Sequence, residues 1–288
     1  MVVISNNIEI YSTEDNAFSI SSSDVIGYFS MSKKHVHEKY EIYYLLSGER
    51  YYFIKDQVFR IKKGHLVFIN QGEMHKTTDA DLPDHKRMLV YFEKRFIETL
   101  NGSVSALLDF MAQKKYSVME LSLRDQNYIE NIFREMTEEI IKKPTGFEVQ
   151  LQGLLMKLLV FISRHVDEHN EKEYFSNCPK HEKIADIVKF INTNYSEQLS
   201  VGEIAERFYI SQYYLCRTFK EITGYTIVQY INTVRVKEAK KLLSHDNLKM
   251  IQVAEKTGFG SIAQFNRVFR EIVGCSPLNY RKSLDNQL

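Results

Sequence analysis

The segment LCRTFKEITG, from Leu215 to Gly224, recurs fifty positions later as FNRVFREIVG, from Phe265 to Gly274. Apolar residues return at helical spacing in both copies, so each copy predicts a helix that buries one face. The predicted buried residues are Leu215, Phe219, Ile222, Phe265, Phe269 and Ile272. A serine stands four residues before each copy, and the opposite faces differ in sequence. One structural unit therefore occurs twice, with two different outer surfaces.

The length and the charge of the chain limit the number of domains and the class of partner that we expect. The 288 residues are enough for about two domains, each with its own core. The net charge of +1 hides an uneven distribution, because residues 1–180 hold 23 basic and 26 acidic residues and residues 181–288 hold 15 and 11. A mildly basic C-terminal part suits a polyanionic partner, but so small a surplus is also typical of an ordinary solvated surface.

Cysteine usage and hydropathy indicate where the protein works. Three scattered cysteines predict no disulfide framework. The chain has neither an N-terminal signal pattern nor an apolar run of about 18 residues. We therefore expect a cytoplasmic protein that makes no membrane contact.

Short runs rich in Val, Ile, Tyr and Phe fill the N-terminal third of the chain. Glycines at Gly48, Gly64 and Gly72 separate several of them, which predicts the hairpins of an all-β barrel or sandwich over residues 1–92. The predicted strands are 8–11, 25–31, 41–46, 51–55, 58–61, 66–69 and 87–92.

The apolar period becomes helical after residue 92. The predicted helices are 93–101, 105–113, 124–142 and 147–169, the last two preceded by capping-box patterns at Ser122 and Thr145. Their apolar stripes exceed what is needed to cover the strands, so we expect residues 93–170 to form a helical dimerisation segment. The alternative is that the whole stripe is intramolecular core. Polar residues 171–182 predict a linker.

Residues 183–283 predict an all-α domain with two helix-turn-helix units. The units span about residues 200–222 and 248–272, and in each of them a short helix precedes one of the repeated segments. A longer helix joins the units, so one chain could address two neighbouring major grooves about 34 Å apart. A helical bundle with surface arginines is the plainer alternative.

The exposed tips of the repeated helices are the candidate DNA contacts. Arg217 and Arg267 are placed to read bases, since a guanidinium group matches guanine O6 and N7. The basic side chains of Lys220, Arg270 and Arg281 suit phosphates, as do the two helix N-termini. The full predicted set is Ser211, Gln212, Tyr213, Cys216, Arg217, Lys220, Ser261, Ile262, Ala263, Asn266, Arg267, Arg270 and Arg281.

The C-terminal region resembles the DNA-binding domain of AraC/XylS-family transcription regulators over nearly all of residues 181–283. Matching positions include Ile204-Ala205, residues 211–220, residues 235–243, Gly258-Phe259 and residues 276–281. The resemblance implies that the base-facing positions are Tyr213, Cys216 and Arg217 in the first unit and Ile262, Ala263, Asn266 and Arg267 in the second. Tyr209 departs from the pattern, because the family often has glycine in the first turn.

A second resemblance concerns the N-terminal strands. His35, His37, Glu41 and Gly48, followed by Gly64, Asn70, Gly72 and His75, are similar in spacing to the two motifs of cupin barrels. Alternate residues of a strand share one side, so the first two histidines and the glutamate can converge inside the barrel, with His75 arriving from another strand.

Three uses of this cluster stay open. Three imidazoles and a carboxylate suit a divalent transition metal, with His35, His37, Glu41 and His75 as candidate ligands. Without a metal, His35, His37, Glu41, Tyr43 and His75 are candidates for binding a small polar ligand such as a sugar. The third use is purely structural. No sequence pattern requires a cofactor.

The sequence thus predicts a cupin-like all-β N-terminal barrel with appended α-helices and an all-α C-terminal DNA-binding domain. The resemblance implies a sequence-specific transcription regulator, an activator rather than an enzyme, that responds to a small-molecule effector. Its expected partners are double-stranded DNA, the effector, a second copy in a homodimer, and RNA polymerase. The alternative is a metal-dependent cupin enzyme fused to a DNA-binding module, although the chain has no phosphate-binding glycine loop and no nucleophile elbow.

Overall fold

A computed structural model describes residues 4–27, 37–80, 84–97, 103–113, 118–168, 178–245 and 248–285. The chain divides into two units, Met1–Asn177 and Cys178–Leu288. The first unit combines strands with helices, and the second contains helices alone in its described part. No helix in the described ranges is long and apolar enough to cross a membrane.

Nine strands lie in the described part of the first unit. They are β1 Ile4–Ser12, β2 Phe18–Ile26, β3 Tyr40–Ser47, β4 Glu49–Ile54, β5 Gln57–Lys62, β6 His65–Ile69, β7 His75–Asp79, β8 His85–Phe92 and β9 Val118–Glu120. All pairings are antiparallel and form a six-stranded sheet, ordered β1-β2-β8-β3-β6-β9, and a three-stranded sheet, ordered β5-β4-β7. The predicted all-β N-terminal fold is confirmed, with its strands paired as two sheets.

Three strands differ from those predicted. The strand expected at 25–31 is instead β2, Phe18–Ile26, because the serines at 21–23 interrupt its apolar alternation. Residues 28–31 lie outside the described ranges. Strand β7 was missed because its sequence, HKTTD, contains no apolar residue. Strand β9 was missed because it has only three residues.

The first unit has two buried cores, one on each side of the six-stranded sheet, and alternate residues of β3 contribute to each of them. Ile42 and Tyr44 point to one side of the six-stranded sheet and join a core shared with the helices. Tyr43 and Leu45 point to the other side, where they pack against the three-stranded sheet. The two sheets therefore form a sandwich with its own interior, and Glu41 lies on the interior side because it is two residues from Tyr43.

Helices cover the outer face of the six-stranded sheet. A 3₁₀ turn at Lys94–Phe96 is followed by α1 Ser103–Gln113, α2 Leu123–Lys142 and α3 Phe147–Glu168. The helix expected at 93–101 is wrong over its first part, which is only this turn, and residues 98–101 are among those not described. Ser122 caps α2 as expected, since its Oγ accepts from the Asp125 N–H at 3.2 Å. Thr145 is not a cap, because α3 begins after Gly146.

The apolar stripes of α2 and α3 are core. Every residue that was expected to supply surplus apolar surface is buried. The interpretation that the stripes exceed what is needed to cover the strands is therefore wrong. These residues are Ile129, Ile132, Phe133, Met136, Ile140, Leu151, Leu154, Leu155, Leu158, Leu159 and Ile162. The exposed apolar side chains of the two helices are different ones: Leu123 at 79%, Ile141 at 74%, Val149 at 70% and Tyr128 at 37% exposure.

Seven helices lie in those stretches of the second unit that the structure describes. They are α4 Pro179–Asn194, α5 Val201–Arg207, α6 Gln212–Thr223, α7 Ile227–His245, α8 Met250–Lys256, α9 Ile262–Val273 and α10 Pro277–Asp285. The predicted pair of helix-turn-helix units is confirmed as α5–α6 and α8–α9. Helix α4 begins inside the predicted linker because Pro179 takes a first-turn position, where its missing N–H costs nothing. Linker residues 171–177 are not described.

The repeated helices α6 and α9 are packed almost alike. Leu215, Phe219, Phe265 and Phe269 are fully buried, as predicted. Ile222 is buried too, but Ile272 is 42% exposed, contrary to the sequence prediction. Helix α4 packs against α6, and the shorter α10 packs against α9. The apolar side chain in the last turn is thus covered in α6 and partly exposed in α9.

Candidate functional site

Helix α6 presents its predicted DNA-facing side chains to solvent. Its first turn is fixed by Ser211, whose Oγ accepts from the Tyr214 N–H at 3.2 Å. Leu215, Thr218 and Phe219 anchor the inner face. The remaining side is exposed and carries Gln212, Tyr213, Cys216, Arg217 and Lys220. The helix is thus held from behind while its outer face and N-terminus remain open.

Helix α9 repeats this arrangement with other side chains. The Ser261 Oγ accepts from the Gln264 N–H at 3.2 Å, and Phe265, Val268 and Phe269 anchor the inner face. The exposed side carries Ile262, Ala263, Asn266, Arg267 and Arg270. The two outer faces therefore share an arginine at one position, Arg217 and Arg267, and differ around it.

Three arginines on these faces have no carboxylate partner among the described residues. Arg217, Arg267 and Arg270 form no ion pair with any residue in the described ranges. A guanidinium group without an internal partner can pair with phosphate or with guanine without first breaking an ion pair. Arg281, the last predicted contact, is different: it is half-buried, and its Nε and Nη2 lack hydrogen-bond partners in the described part of the chain.

The two helix-turn-helix units are tied together by contacts at the end of α4. Arg235 of α7 is buried and donates from Nε to the Tyr195 carbonyl at 2.8 Å and from Nη2 to the Glu197 carbonyl at 2.7 Å. Gly258, in the turn before α9, approaches the same stretch so closely that a Cβ would lie 2.6 Å from the Tyr195 oxygen. The chain between α4 and α5 therefore fixes the turn of the second helix-turn-helix unit relative to the first helix-turn-helix unit.

A polar cluster lies inside the sandwich of the first unit. The Glu41 Oε2 lies 3.1 Å from Nε2 of both His37 and His75, and the Tyr52 hydroxyl donates to Oε1 at 2.7 Å. His37 is not on a strand as expected, since β3 begins at Tyr40. Its imidazole nevertheless reaches Glu41. The sequence-predicted cluster is thus brought together, except that His35 lies outside the described residues and Tyr43 lies farther along β3.

Backbone carbonyls fix the orientation of both imidazoles. The Nδ1 atom of His37 lies 2.8 Å from the Lys39 carbonyl, and that of His75 lies 2.9 Å from the Glu73 carbonyl. A carbonyl can only accept, so each Nδ1 carries the proton. Each Nε2 must then carry a second proton in order to bond Glu41, or must offer its lone pair to a cation held between them.

The electrostatics of the cluster favour the charged forms of Glu41 and His75. Burial pushes the pKa of Glu41 upward, but the charge of His75 and the hydrogen bonds from both histidines outweigh it and hold the pKa well below its ordinary range. Burial lowers the pKa of His75, but the Glu41 carboxylate outweighs it, so the pKa of His75 is raised. Burial and the Glu41 charge raise the pKa of Tyr52 and keep its hydroxyl a donor.

The donor set also fits a divalent cation. Ligand atoms of His37, Glu41 and His75 lie within 4.8 Å of one another. Imidazole nitrogens whose other N–H is held by a carbonyl, together with one carboxylate, are a usual ligand set for zinc or another first-row metal. The arrangement therefore suits a metal, a proton-bridged cluster, or hydrogen bonds to a polar ligand.

Sequence reasoning missed several interior polar residues. Tyr52, Tyr91, Arg50 and Arg87 all face the sandwich interior from strands β4 and β8. Their period-two spacing along these strands could have indicated it, since Arg50 and Tyr52 alternate with outward residues in the same way as Glu41 and Tyr43 do.

Comparisons with known proteins also separate a ligand-binding part of the chain from a helix-turn-helix part. A family model described as "AraC-like ligand binding domain" matches residues 27–159, and one described as "Helix-turn-helix domain" matches residues 204–283. The uncharacterized HTH-type transcriptional regulator YisR of Bacillus subtilis is 25% identical over 91% of this chain and 93% of its own length. The melibiose operon regulatory protein of Escherichia coli is 22% identical over 88% of this chain and 84% of its own. Among solved structures, the DNA-binding domain of AdpA in complex with a target DNA is 31% identical over 36% of this chain and 93% of that chain, with a TM-score of 0.35.

Proposed function

Because this chain belongs to the AraC family of transcription regulators, with an N-terminal ligand-binding domain and a C-terminal helix-turn-helix DNA-binding domain, we propose that it activates transcription when a sugar-class molecule occupies the sandwich. The observation that carries the DNA-binding role is the pair of serine-capped helices, each with an exposed arginine at the same position. Activation further requires contact with RNA polymerase, which the family resemblance supports.

Base reading by Arg267 gives the test of this role. Binding to the operator and to random DNA of the same length is measured over a range of salt concentrations. Arg267→Ala is expected to weaken operator binding by about 1 to 3 kcal/mol while leaving the affinity for random DNA nearly unchanged. Equal losses on both DNAs would make Arg267 a phosphate clamp. Operator binding that does not depend on salt would contradict the role altogether.

The ligand role is supported by the polar interior of the sandwich and by the family model that covers residues 27–159. The melibiose operon regulatory protein, a relative over most of its length, supports a sugar-class effector. A ligand that prefers one arrangement of the protein shifts its population and so changes DNA occupancy. An effector should raise the thermal midpoint of the protein by mass action.

A resident divalent metal is a second candidate for the sandwich. The three-residue cluster with carbonyl-oriented imidazoles favours it. Metal analysis of the purified full chain, with His75→Ala as the matched variant, gives the test. If the wild-type protein holds one metal ion per chain and the variant loses it, the result supports a metal site and keeps the metal-dependent cupin enzyme as an alternative. A wild-type protein without stoichiometric metal rejects the metal site and the cupin enzyme together.

We also propose a homodimer through the exposed sides of α2 and α3. The exposed apolar residues Leu123, Ile141 and Val149 support it, as does an open groove of about 900 Å³ between the two helices. Sedimentation equilibrium is expected to show a dimer that Ile141→Glu with Val149→Glu converts to monomer. A wild-type monomer at all concentrations would contradict the proposal.

A further inference from the structure

Two arginines lie inside the sandwich, and the charge balance around them is uneven. Arg50 of β4 is completely buried, and its Nη1 donates to the Asp79 Oδ1 at 2.5 Å across the β4–β7 pair. Arg87 of β8 is also buried, with 8% of its surface exposed. Burial lowers the pKa of Arg50, Asp79 counters this, and the charge of Arg87 adds to the lowering. Two cations thus lie close enough to repel each other, and of the two only Arg50 is paired with a carboxylate in the described ranges.

Arg87 is the arginine without a counter-charge. It forms no ion pair with any residue in the ranges that the structure describes. Its guanidinium carbon lies 5.6 Å from the centre of the Tyr43 ring. The guanidinium group counteracts the rise that burial imposes on the pKa of Tyr43, yet its own Nε has no hydrogen-bond partner in the described part of the chain. A buried cation in this state is strongly unfavourable unless another group pairs with it.

Two further polar atoms in the same interior lack partners. The Tyr43 hydroxyl and the Thr77 Oγ1 are buried and make no well-formed hydrogen bond within the described ranges, although the Tyr43 hydroxyl lies near the Arg87 guanidinium group. Strand register places all three residues on the inner side. Tyr43 packs edge-on against Tyr52, Thr77 pairs with Tyr52 across β4–β7, and Arg87 pairs with the inward Leu45 across β3–β8. Strands β3, β7 and β8 therefore each present one unpaired polar group to one interior, where native proteins normally satisfy such groups.

We propose that the effector of the sandwich is a small hydroxylated organic anion of the sugar-acid class, whose carboxylate pairs with Arg87 and whose hydroxyl groups bond Tyr43 and Thr77. This inference rests on the proposed ligand role and narrows the effector from sugars in general to sugar acids. A carboxylate supplies the charge that Arg87 lacks, and a guanidinium group binds carboxylates through two parallel hydrogen bonds. A neutral sugar can satisfy the hydroxyl partners but leaves the buried cation unpaired.

Matched ligand pairs test the charge requirement. Thermal midpoints of the full chain are measured with galacturonate against galactose and with gluconate against glucose. An acid is expected to raise the midpoint and to bind at least tenfold more tightly than its neutral partner in calorimetry. A neutral sugar that binds as tightly as its acid would overturn the inference while preserving the ligand role. If none of the four compounds changes the midpoint, the proposed sugar-class effector fails and the inference that rests on it fails with it.

Two methionine variants decide whether Arg87 is a ligand contact or a structural residue. Arg87→Met removes an unpaired buried cation, so it is expected to raise the midpoint of the ligand-free protein and to abolish the shift caused by the acid. Arg50→Met is the matched control in the same interior. It removes the partner of Asp79 and is expected to lower the midpoint. An Arg87→Met protein that is destabilised like the control would overturn the inference whatever the ligands do.

Discussion

At the scale of single residues, Tyr209 has the most unusual backbone of the DNA-binding unit. Its φ of 54° lies in the left-handed region, and 94% of its side chain is exposed. Gly258 occupies the corresponding turn of the second helix-turn-helix unit, between α8 and α9, with a φ of 80°. The sequence resemblance identified Tyr209 as a departure from glycine, and the structure shows that the backbone there keeps the conformation that glycine adopts most easily.

Tyr209→Gly should stabilise the protein. The left-handed conformation costs a residue with a Cβ about 1 to 2 kcal/mol, and the exposed ring contributes little packing, so we expect a net gain of about 1 kcal/mol in the free energy of unfolding. Urea denaturation monitored by circular dichroism measures it. Tyr209→Ala is the control and should gain little, because alanine keeps the Cβ. A loss of stability in the glycine variant would mean that the ring makes a stabilising contact.

His181 gives the C-terminal unit a pH dependence. Burial, helped by the neighbouring Lys180, lowers the pKa of His181 to about 4. The folded pKa lies below the unfolded value of about 6.5, so the stability it contributes is present above pH 6.5 and is lost as the pH falls toward 4. We expect a loss of about 1 to 2 kcal/mol, because solvent screens the charges of the neighbouring Lys180 and Glu221.

The matched variant for this prediction is His181→Leu. The free energy of unfolding of both proteins is measured between pH 7 and pH 4.5. The variant should lose less stability over this range, since leucine does not titrate, whereas carboxylates that titrate in both proteins cancel in the difference. Parallel curves would show that His181 is not the titrating group.

At the scale of elements, the sequence predicted those helices that show clear apolar periodicity or a capping residue. Ser122, Ser211 and Ser261 all cap helices as their patterns indicated. Helices α6 and α9 were predicted from apolar spacing alone. Strand β7 could not be predicted in this way, because its inward-facing residues, His75, Thr77 and Asp79, are all polar and hydrophobic alternation does not report them. For the same reason the sequence indicated His37, Glu41 and His75, through motif spacing, but not Arg50 and Arg87.

Arg235 joins elements that the sequence leaves separate. Its two hydrogen bonds to carbonyls after α4, and its position 5.7 Å over the Phe259 ring, link α7 to both helix-turn-helix units. Arg235→Met removes two charge-assisted bonds and should cost about 2 to 3 kcal/mol in the free energy of unfolding, with weaker operator binding as a second effect.

Lys241→Met on the same helix provides the comparison for Arg235. Lys241 is 60% exposed and pairs only with Glu238, three residues away, so its loss should change the free energy of unfolding by no more than about 0.5 kcal/mol. Similar effects of the two variants in thermal denaturation would show that Arg235 is not a structural link.

At the scale of the whole molecule, one chain carries two unequal reading surfaces. Tyr213, Cys216 and Arg217 form one tip, and Ile262, Ala263, Asn266 and Arg267 form the other. Helix α7, with 19 residues, is about 28 Å long, and the contacts of Arg235 and Gly258 hold the two units in one arrangement. A single subunit should therefore read an asymmetric site, and any symmetry of the operator must come from dimerisation.

The most direct test of the account is hydroxyl-radical footprinting of the full chain on its operator, with Arg217→Ala and Arg267→Ala as paired variants. We predict protection around two consecutive major grooves, about ten base pairs apart, with each variant weakening protection at a different groove. Protection of a single groove per subunit, or loss at the same groove in both variants, would contradict the claim that the repeated helices are two separate readers.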